Sequence, residues 1–513
     1  SSYTNTLSPY FYKVMDYTWD PSDPEFFYLE LLQKGTDYIK QGTINRYSDR
    51  TFYFDARVNY NRRFGEDHTV SGMLMYMQRE YRSDVLPQRN QGLSGRFTYD
   101  YQNKYFAEFN FGYNGTERLA SGHRFEFFPA MSLGWAVSNE SFWEPLSTAV
   151  THFKIRGSYG LVGSDETGLL AGAAHFLYIN NVNIDGSGIF STGPYDGVYI
   201  SKKGPGIEGY AVENASWERA KKFDIGVDLN LFDQVSITFD YFHDRRDRIL
   251  QKRGSWPVIM GYAHATPWSN IGKVDNKGFE LSVNWKKEII KDMFVDLRGN
   301  FTYTQNKYVY NDEPDYPYVW QTKTGKPLSC TYGYIADGLF EDEDDIRNSP
   351  SQKNLGSTVM PGDIKYRDVN GDGAITTEDQ VMLSRYGGIP RIQYGFGLNW
   401  TYKNIDFGVF FNGSAQRTLM IDNIAPFCSD VGNQDRNLMK FIADNYWSEA
   451  SPNPEAAYPR LGVNNSQVAN NMKPSSFWMR NGNFLRFKTL ELGYSFSFCR
   501  IYLSGDNLAV WSP

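Results

Sequence analysis

The chain has 513 residues, a net charge of -7 and a mean hydropathy of -0.53, yet 17% of its residues are aromatic, including 37 Tyr and 36 Phe. The acidic balance argues against nucleic acid as the main partner, because binding to phosphates needs a basic surface. No run approaches the roughly 18 consecutive apolar residues of a transmembrane helix, which excludes that class. Three cysteines far apart in sequence (Cys330, Cys428, Cys499) give neither a disulfide framework nor a metal-binding spacing.

Apolar and polar residues alternate strictly in several runs of the first part of the chain. Two of these runs flank a short polar reversal at Gln102-Asn103-Lys104, and another precedes Gly65-Glu66-Asp67. A period of two indicates β-strands, and short turns between such runs predict antiparallel hairpins. The runs are residues 52–61, 93–101, 105–113 and 153–159.

The clearest hairpin spans residues 223–241. Its first strand places Asp224, Gly226, Asp228 and Asn230 on one face, and after the reversal at Phe232-Asp233-Gln234 the alternation resumes. One face is therefore apolar and the other polar. The apolar face carries Phe223, Ile225, Val227, Leu229, Leu231, Val235, Ile237, Phe239 and Tyr241.

The second half of the chain repeats the pattern, which brings the count to about fourteen strands. An even number of strands with one apolar, aromatic face and one polar face is typical of a barrel that spans an outer membrane. The sequence therefore predicts an all-β fold, a large antiparallel transmembrane β-barrel. The runs of this half are residues 279–285, 295–303, 394–400 and 405–411.

Long polar segments alternate with the short turns. Outer-membrane barrels have short periplasmic turns and long extracellular loops, so these segments are expected to lie at one end of the barrel. A set of soluble β-sandwich domains is the alternative, and it would need loops of only a few residues. The segments are residues 162–216, 244–270, 305–392 and 413–483, of which the last two are assigned as long extracellular loop regions.

The run from Phe484 to Asn507 is too long for one strand, since a membrane strand needs only about 9–11 residues. No Gly- or Pro-containing turn interrupts it between Tyr494 and Ser504. Either a turn lies near residues 498–500, or residues are absent from the sequence there.

Residues 368–379 (Asp-Val-Asn-Gly-Asp-Gly-Ala-Ile-Thr-Thr-Glu-Asp) have the spacing of a twelve-residue calcium loop. Oxygen ligands recur at alternate positions, a glycine stands at position 6, and Asp replaces the usual Glu at position 12. The alternative is a cluster of Asn-Gly and Asp-Gly turns that binds no metal. We predict a structural Ca²⁺ that pins a long loop, held by the side chains of Asp368, Asn370, Asp372 and Asp379 and the carbonyl of Ala374, with Thr376 at position 9.

Five aromatic residues of the long segments have faces that could stack on sugar rings or peptide side chains, or could simply pack the loops. They are Trp256, Tyr262, Trp268, Tyr318 and Trp320. No nucleophile elbow, phosphate-binding loop or zinc-hydrolase spacing is present, so we expect no catalysis.

Short motifs in the family's order resemble the SusC/RagA family of TonB-dependent outer-membrane transporters of Bacteroidetes. They cover most of the chain from about residue 90 onward. The motifs are Phe128-Pro129 with Gly134-Trp135 and Asn139-Glu140, Arg156-Gly157-Ser158-Tyr159-Gly160, Trp217-Glu218 with Phe223–Asp228, Asn276–Leu281, Pro361–Tyr366, Leu485-Arg486 with Leu492-Gly493-Tyr494, and Asp506-Asn507-Leu508.

The resemblance implies a barrel of 22 strands in the bacterial outer membrane, an N-terminal plug with a TonB-contacting segment, and a SusD-like lipoprotein as partner. No plug-like domain precedes residue 50, and no further strands follow Asn507-Leu508. We therefore expect residues 1–513 to be an incomplete barrel that meets the TonB complex through a region outside this sequence. Pairing of two transporter–lipoprotein units is a further expectation.

The leading hypothesis for function is active import of a bulky oligosaccharide or peptide across the outer membrane. Two alternatives stay open at this point. One is a passive porin or adhesin-like barrel, and the other is a secreted β-sandwich binding module stabilised by calcium. The sequence does not name the substrate or the residues that contact it.

Overall fold

The computed structural model describes residues 2–7, 14–20, 22–33, 41–83, 86–166, 176–192, 200–257, 259, 267–421, 438–462 and 465–513. Strands dominate this part of the chain, and no helix in it is long and apolar enough to cross a membrane.

The strands follow one another through the chain, and the shortest ones lie within the long connections. In chain order they are β1 (Ser2–Leu7), β2 (Val14–Asp20), β3 (Asp23–Gln33), β4 (Gln41–Tyr47), β5 (Arg50–Phe64), β6 (His68–Arg82), β7 (Gln88–Tyr101), β8 (Tyr105–Thr116), β9 (Phe125–Ala136), β10 (Val150–Ser164), β11 (Asn181–Thr192), β12 (Ile200–Gly209), β13 (Glu218–Leu231), β14 (Val235–Lys252), β15 (Trp268–Ile290), β16 (Met293–Tyr310), β17 (Thr331–Gly333), β18 (Ala336–Leu339), β19 (Ile364–Tyr366), β20 (Val381–Ser384), β21 (Ile392–Tyr402), β22 (Ile405–Ala415), β23 (Thr418–Met420), β24 (Met479–Asn481), β25 (Phe484–Ser495) and β26 (Arg500–Trp511).

Helices are short in the described ranges. The α-helices are α1 (Glu343–Arg347) and α2 (Lys440–Ala443), and the 3-10 turns are Val137–Asn139, Ser141–Leu146, Val319–Gln321, Lys353–Leu355, Thr377–Asp379 and Asn465–Gln467.

Fourteen strands form one antiparallel sheet, which confirms the predicted count and fold class. The order is β26-β25-β22-β21-β16-β15-β14-β13-β10-β9-β8-β7-β6-β5, so each strand pairs with the sheet strands before and after it in the chain. Such a meander satisfies the backbone hydrogen bonds of every strand between its two edges, β5 and β26. The β-sandwich alternative is wrong, because a sandwich would divide these strands between two sheets.

Cross-strand register explains why the apolar face is continuous. In the hairpin of β13 and β14, Ile225 lies opposite Tyr241 and Val227 opposite Phe239. The turn residues Phe232 and Asp233 both have positive φ, which matches the two-residue turns that suit the twist of a hairpin. Aromatic pairs then extend the face across neighbouring strands, as at Phe239 and Phe279, whose ring centroids are 6.1 Å apart.

Connections alternate in length along the sheet. One end has short reversals such as residues 65–67, 102–104, 232–234 and 403–404, whereas the other end has the long connections 165–217, 253–267, 311–391 and 416–483. Parts of three of these long connections, 165–217, 253–267 and 416–483, lie outside the described residues. The 253–267 connection is shorter than the predicted segment 244–270 because β14 continues to Lys252.

The charged end of β14 explains that difference. Its residues still pair with β15, and Arg245 Nε donates to Asp275 Oδ1 at 3.0 Å across the two strands. A strand that extends beyond the membrane no longer needs an apolar side chain at every second position. The polar sequence of residues 244–252 therefore marks the membrane boundary rather than the end of the strand.

The run from Phe484 to Asn507 contains a turn, which agrees with the first of the two interpretations of its length. β25 ends at Ser495, β26 begins at Arg500, and the Phe496 amide donates to the Cys499 carbonyl at 2.7 Å. Ile501 then lies opposite Tyr494 in the ladder.

The buried cores of the described residues lie mainly in the long connections. One core joins residues 311–391 to 416–483 and is described below. The second core packs under the 165–217 connection and consists of Leu119, Phe128, Leu177, Val212, Ala215 and Trp217. The apolar face of the sheet itself stays exposed, as expected for a surface that lipid covers.

We predict that Phe239→Arg destabilises the barrel by about 2–4 kcal/mol, because it places a charge near the middle of the lipid-facing part of β14. Thr238→Arg, one residue earlier on the polar face, is the matched control and is expected to cost much less. Denaturant unfolding of the full-length protein in lipid vesicles measures both. Equal losses for the two variants would contradict the assignment of the faces.

Candidate functional site

The polar face of the sheet carries an ion-pair cluster around Arg156 on β10. Its guanidinium lies 3.5 Å from Asp224, 3.1 Å from Asp228 and 2.6 Å from Asp240, measured between the nearest nitrogen and oxygen atoms. The three carboxylates belong to β13 and β14, so one side chain links three neighbouring strands. Three acids around one arginine leave this part of the face negatively charged.

Gly226 makes room for this cluster. It lies opposite both Arg156 and Asp240 in the ladders, and a Cβ there would overlap the Asp240 carboxylate and lie 2.6 Å from Arg156 Cζ. The Phe-Asp-Ile-Gly-Val-Asp motif on β13 and the Arg-Gly-Ser-Tyr-Gly motif on β10 therefore specify one arrangement: an arginine lying over a glycine between acids.

At the end with the long connections, two segments far apart in sequence fold around one apolar core, which we call the loop core. Residues 311–391 contribute six of its ten buried side chains and residues 416–483 the other four. The buried members are Tyr334, Leu339, Leu355, Ile364, Tyr366, Ile375, Trp447, Ala456, Val468 and Trp478.

A buried ion pair fixes the two segments of the loop core to each other. Asp363 is fully buried, and one of its carboxylate oxygens lies 2.6 Å from Arg460 Nε. Asn471 Nδ2 donates to the same carboxylate at 2.8 Å, and the Met360 amide donates at 2.9 Å. Burial raises the pKa of the Asp363 carboxyl, and Arg460 with these hydrogen bonds opposes the rise.

Neutral hydrogen bonds complete the junction. Gln352 Nε2 donates to Asn470 Oδ1 at 2.8 Å, and Gln352 Oε1 accepts from the Tyr366 amide at 2.6 Å. Tyr366 Oη donates to the Asn470 carbonyl at 2.8 Å, and burial raises the pKa of this phenol. Each of these buried polar groups thus has a partner from another part of the loop core.

Gly362 lets the Pro361–Tyr366 segment pack closely against Trp447. Its φ of +84° lies in the left-handed region, and a Cβ there would overlap the Trp447 ring. Glycine is therefore required both for the backbone conformation and for the contact. In the same core, Trp478 Nε1 donates to the Asn471 carbonyl at 2.7 Å.

The predicted calcium loop lies beside the loop core and is anchored to it by Ile375, which is fully buried. Gly373, at position 6, has a φ of +83° as the sharp turn requires. Asp368 accepts from the Gly371 amide at 2.7 Å and from the Gly373 amide at 2.8 Å. The Asp372 carboxylate accepts from the Ala374 amide at 2.8 Å, so the loop is closed by its own hydrogen bonds.

Asp379, at position 12, is fully buried and accepts from three amides, those of Val369 (2.8 Å), Asn370 (3.3 Å) and Thr376 (2.8 Å). It thereby joins the two ends of the loop. Within the described residues no group of three or more His, Cys, Asp and Glu side chains is arranged to hold a metal ion. The donors that this loop offers are a mixed set of carboxylates, an amide and a carbonyl, and calcium binding stays a prediction.

The aromatic residues of the long segments mostly serve packing. Trp320 stacks on Tyr318 with centroids 4.6 Å apart, and its Nε1 donates at 2.8 Å to the carbonyl of Glu378, a residue of the calcium loop. Trp268 belongs to β15 and packs against the second core. Tyr262 lies outside the described residues.

Sequence reasoning missed Arg460, Gln352, Asn470 and Asn471. Asp363 was noticed only as part of a family motif. The adjacent Asn470 and Asn471, close to the apolar Val468 and Met472, could have suggested buried amides, but their partners lie more than 100 residues away in the chain.

We predict that Arg460→Ala lowers the stability of the loop core by about 3–5 kcal/mol, because it leaves the buried Asp363 unpaired. Arg367→Ala, which breaks the exposed pair with Asp337, is the control in the same unit and is expected to cost at most about 1 kcal/mol. Hydrogen exchange of the loop amides measures both.

The pH dependence provides a second check. The folded Arg460→Ala variant should bind a proton at Asp363 well above the ordinary aspartate pKa of about 3.9, since Arg460 no longer opposes the rise in pKa that burial causes. The loss of loop-core stability in this variant, relative to the parent, should be smallest at low pH. It should grow as the pH rises through the raised pKa of Asp363. A deficit that is constant with pH would contradict this account.

Comparison with known proteins identifies the family of the chain. The family model described as TonB dependent receptor-like, beta-barrel, matches residues 2–508. TonB-dependent receptor P3 of Formosa agariphila is 25% identical over 441 residues, which cover 82% of this chain and 40% of that protein. TonB-dependent receptor SusC of Bacteroides thetaiotaomicron is 25% identical over 411 residues, 78% of this chain and 37% of that protein.

Among solved structures, the RagAB peptide importer in the open-open state matches with a TM-score of 0.65 and 17% identity, over 91% of this chain and 52% of that one. This likeness confirms the fold. The chain spans about two fifths of the length of the curated relatives it matches. With a family match over nearly its whole length, the chain belongs to the TonB-dependent receptor β-barrel family, is SusC-like, and is an outer-membrane protein.

Proposed function

We propose that the protein imports a bulky nutrient, an oligosaccharide or a peptide, across the bacterial outer membrane. The observation that carries this proposal is the one-sided arrangement of the long connections, two of which fold around a shared core, at one end of a sheet with a charged polar face. A large barrel with a polar interior suits the passage of hydrophilic solutes. Import rather than catalysis is the role we assign, in line with the family.

Energy for import would come from the TonB complex through a region outside this sequence. A SusD-like surface lipoprotein would act as the partner that captures substrate over the long connections, and two such pairs would assemble into a dimer. The name of one relative, the TonB-dependent receptor SusC, supports the dependence on TonB, and the name of a structural neighbour, the RagAB peptide importer, supports import. Exposed apolar side chains in the long connections, such as Val319 (86% exposed) and Ile389 (68%), offer contact area for a lid.

We predict that deletion of the gene abolishes uptake of the nutrient by the native bacterium and that the full gene restores it. Uptake of fluorescent oligosaccharides and peptides from the growth medium provides the measurement. Loss of uptake when TonB is removed or the proton gradient is collapsed distinguishes active import from a passive pore. Uptake that continues without TonB would contradict active import.

Purification of the tagged full-length protein from its native membrane tests the partner. Mass spectrometry should find a lipoprotein and a retained oligosaccharide or peptide in the complex. Recovery of the barrel alone, without lipoprotein or ligand, would contradict the paired-transporter proposal.

We also propose that residues 368–379 bind a structural Ca²⁺. The side chains of Asp368, Asn370 and Asp372 and the carbonyl of Ala374 would supply oxygen ligands, which hard Ca²⁺ prefers in sets of six to eight with water completing the shell. Asp379 closes the loop, either as a ligand or through the amide hydrogen bonds that it accepts. The ion would stiffen the loop to which the loop core is attached through Ile375.

Calcium titration should increase the protease resistance of residues 360–385 in the full-length protein, and Asp368→Ala should abolish the effect. Asp315→Ala, in an exposed part of the same connection, is the matched control and should respond like the parent. If Asp368→Ala and the parent were protected equally, the loop would not be a calcium site.

A further inference from the structure

Arginines on the polar face divide into two groups according to their partners. Arg96, Arg156 and Arg500 each pair with at least one carboxylate. In contrast, no carboxylate of the described residues lies within 4.0 Å of the guanidinium groups of Arg298, Arg391 or Arg486. We call these three residues the arginine group.

Register places the arginine group on one surface formed by β16, β21, β22 and β25. Arg298 lies opposite Gly397, and two residues further along β16 Asn300 lies opposite Gly395, which faces Asn412 on β22. Asn412 in turn lies opposite Arg486 on β25. Arg391 continues this face toward the long connections, because its carbonyl accepts from the Thr304 amide at 2.9 Å.

The surface is large enough for several units of a polymer. Arg298 and Arg486 are separated by three strand spacings, about 15 Å, and Arg298 and Arg391 by six residues along the strands, about 20 Å. The side chains between them on the polar face are neutral: Asn300, Thr302, Gln393, Asn412 and Ser414.

Each arginine is held in place by an aromatic ring rather than by a charge. The distance from Cζ to the ring centroid is 5.1 Å for Arg298 and Phe410, 5.1 Å for Arg391 and Tyr386, and 5.3 Å for Arg486 and Phe484. Stacking orients a guanidinium and leaves N–H donors in its plane for a planar anion. Arg391 Nη2 donates to the Arg385 carbonyl and Arg486 Nη1 to Asn507 Oδ1, so only part of their donor capacity is used.

Buried polar atoms without a partner lie beside the same arginines. Within the described residues the Ser414 hydroxyl has no hydrogen-bond partner, although this residue is only 5% exposed. The atoms Asn412 Oδ1 and Arg486 Nε are also buried without a partner there. Leaving such groups unpaired costs free energy, which a ligand with both acceptors and donors would recover. This second observation points to a ligand at the surface, independently of the charges.

We propose that the arginine group binds the negatively charged groups of an anionic nutrient, carboxylates or sulfates spaced along an oligomer, at the end of the lumen below the long connections. The proposal rests on the proposed import function and narrows its substrate class. Bidentate contacts from Arg391 and Arg486 would hold two anionic groups, and Ser414 would donate to an oxygen between them. An acidic oligosaccharide and an acidic peptide share this chemistry.

The test measures binding to the full transporter complex purified from its native membrane. The probes are hexagalacturonate with maltohexaose as its neutral counterpart, and hexaglutamate with hexaglutamine, at constant ionic strength. At least one anionic probe should bind about tenfold or more tightly than its neutral counterpart, since hydrogen bonds to charged groups are the strong ones. The better anionic probe identifies which polymer the surface accepts.

The variants Arg391→Gln and Arg486→Gln should each weaken binding of that anionic probe by about tenfold or more, and leave the neutral probes unaffected. Arg96→Gln, which removes an arginine of the polar face already paired with Glu108, is the matched control and should change neither. Heat-modifiable migration of each barrel on gels verifies folding.

If neither anionic probe binds more tightly than its neutral counterpart, the proposal is overturned. The arginines would then be assigned to contacts with another part of the same protein. Equal binding by parent and folded arginine variants would overturn it as well. Either failure leaves the uptake test of import untouched, because that test does not depend on the charge of the nutrient.

Discussion

The structure depends on one constraint: backbone amides and carbonyls within a membrane must be paired inside the protein, because lipid offers no hydrogen bonds. A meander of antiparallel strands meets this constraint with local connections, and each interior strand of the fourteen-stranded sheet has its two chain neighbours as partners. The same constraint moves irregular backbone out of the sheet and into the connections. The connections cannot use the sheet as their apolar core, so they form a separate one from loop residues. The loop core therefore contains its own tryptophans and its own buried ion pair.

Charge on the polar face follows from the same geometry. Period-two alternation forces every second residue toward the lumen, so acids and arginines on adjacent strands come within contact distance by register alone. Around Arg156 three acids outnumber one base, whereas on β16, β22 and β25 aromatic rings take the place of acids beside the arginines. The wall therefore has two regions of opposite character, and a solute that passes along it meets an uneven electrostatic field.

The sequence predicted the sheet well because the information for it is local. Alternation over ten residues identifies a strand, and the hairpin at residues 223–241 has the register that its apolar positions predict. The sequence did not reveal that β14 continues to Lys252, because a strand beyond the membrane loses its lipid contact and with it the apolar alternation. Its charged sequence then resembles that of a loop. The loop core was missed for a different reason: Asp363 and Arg460 are 97 residues apart, and neither segment has a periodic pattern that reveals its partner. The Arg156 cluster was visible only as two motifs until the register brought Gly226 between them.

The loop core has a consequence for the way this family diversifies. Two connections that emerge from different hairpins share one interior, so neither can be exchanged for that of a relative without leaving half of a core and half of an ion pair behind. A chimera designed to alter nutrient choice would have to transplant residues 311–391 and 416–483 together. Natural variation in the two segments should accordingly be inherited as a unit, with the barrel beneath serving as a frame that accepts one matched pair in place of another.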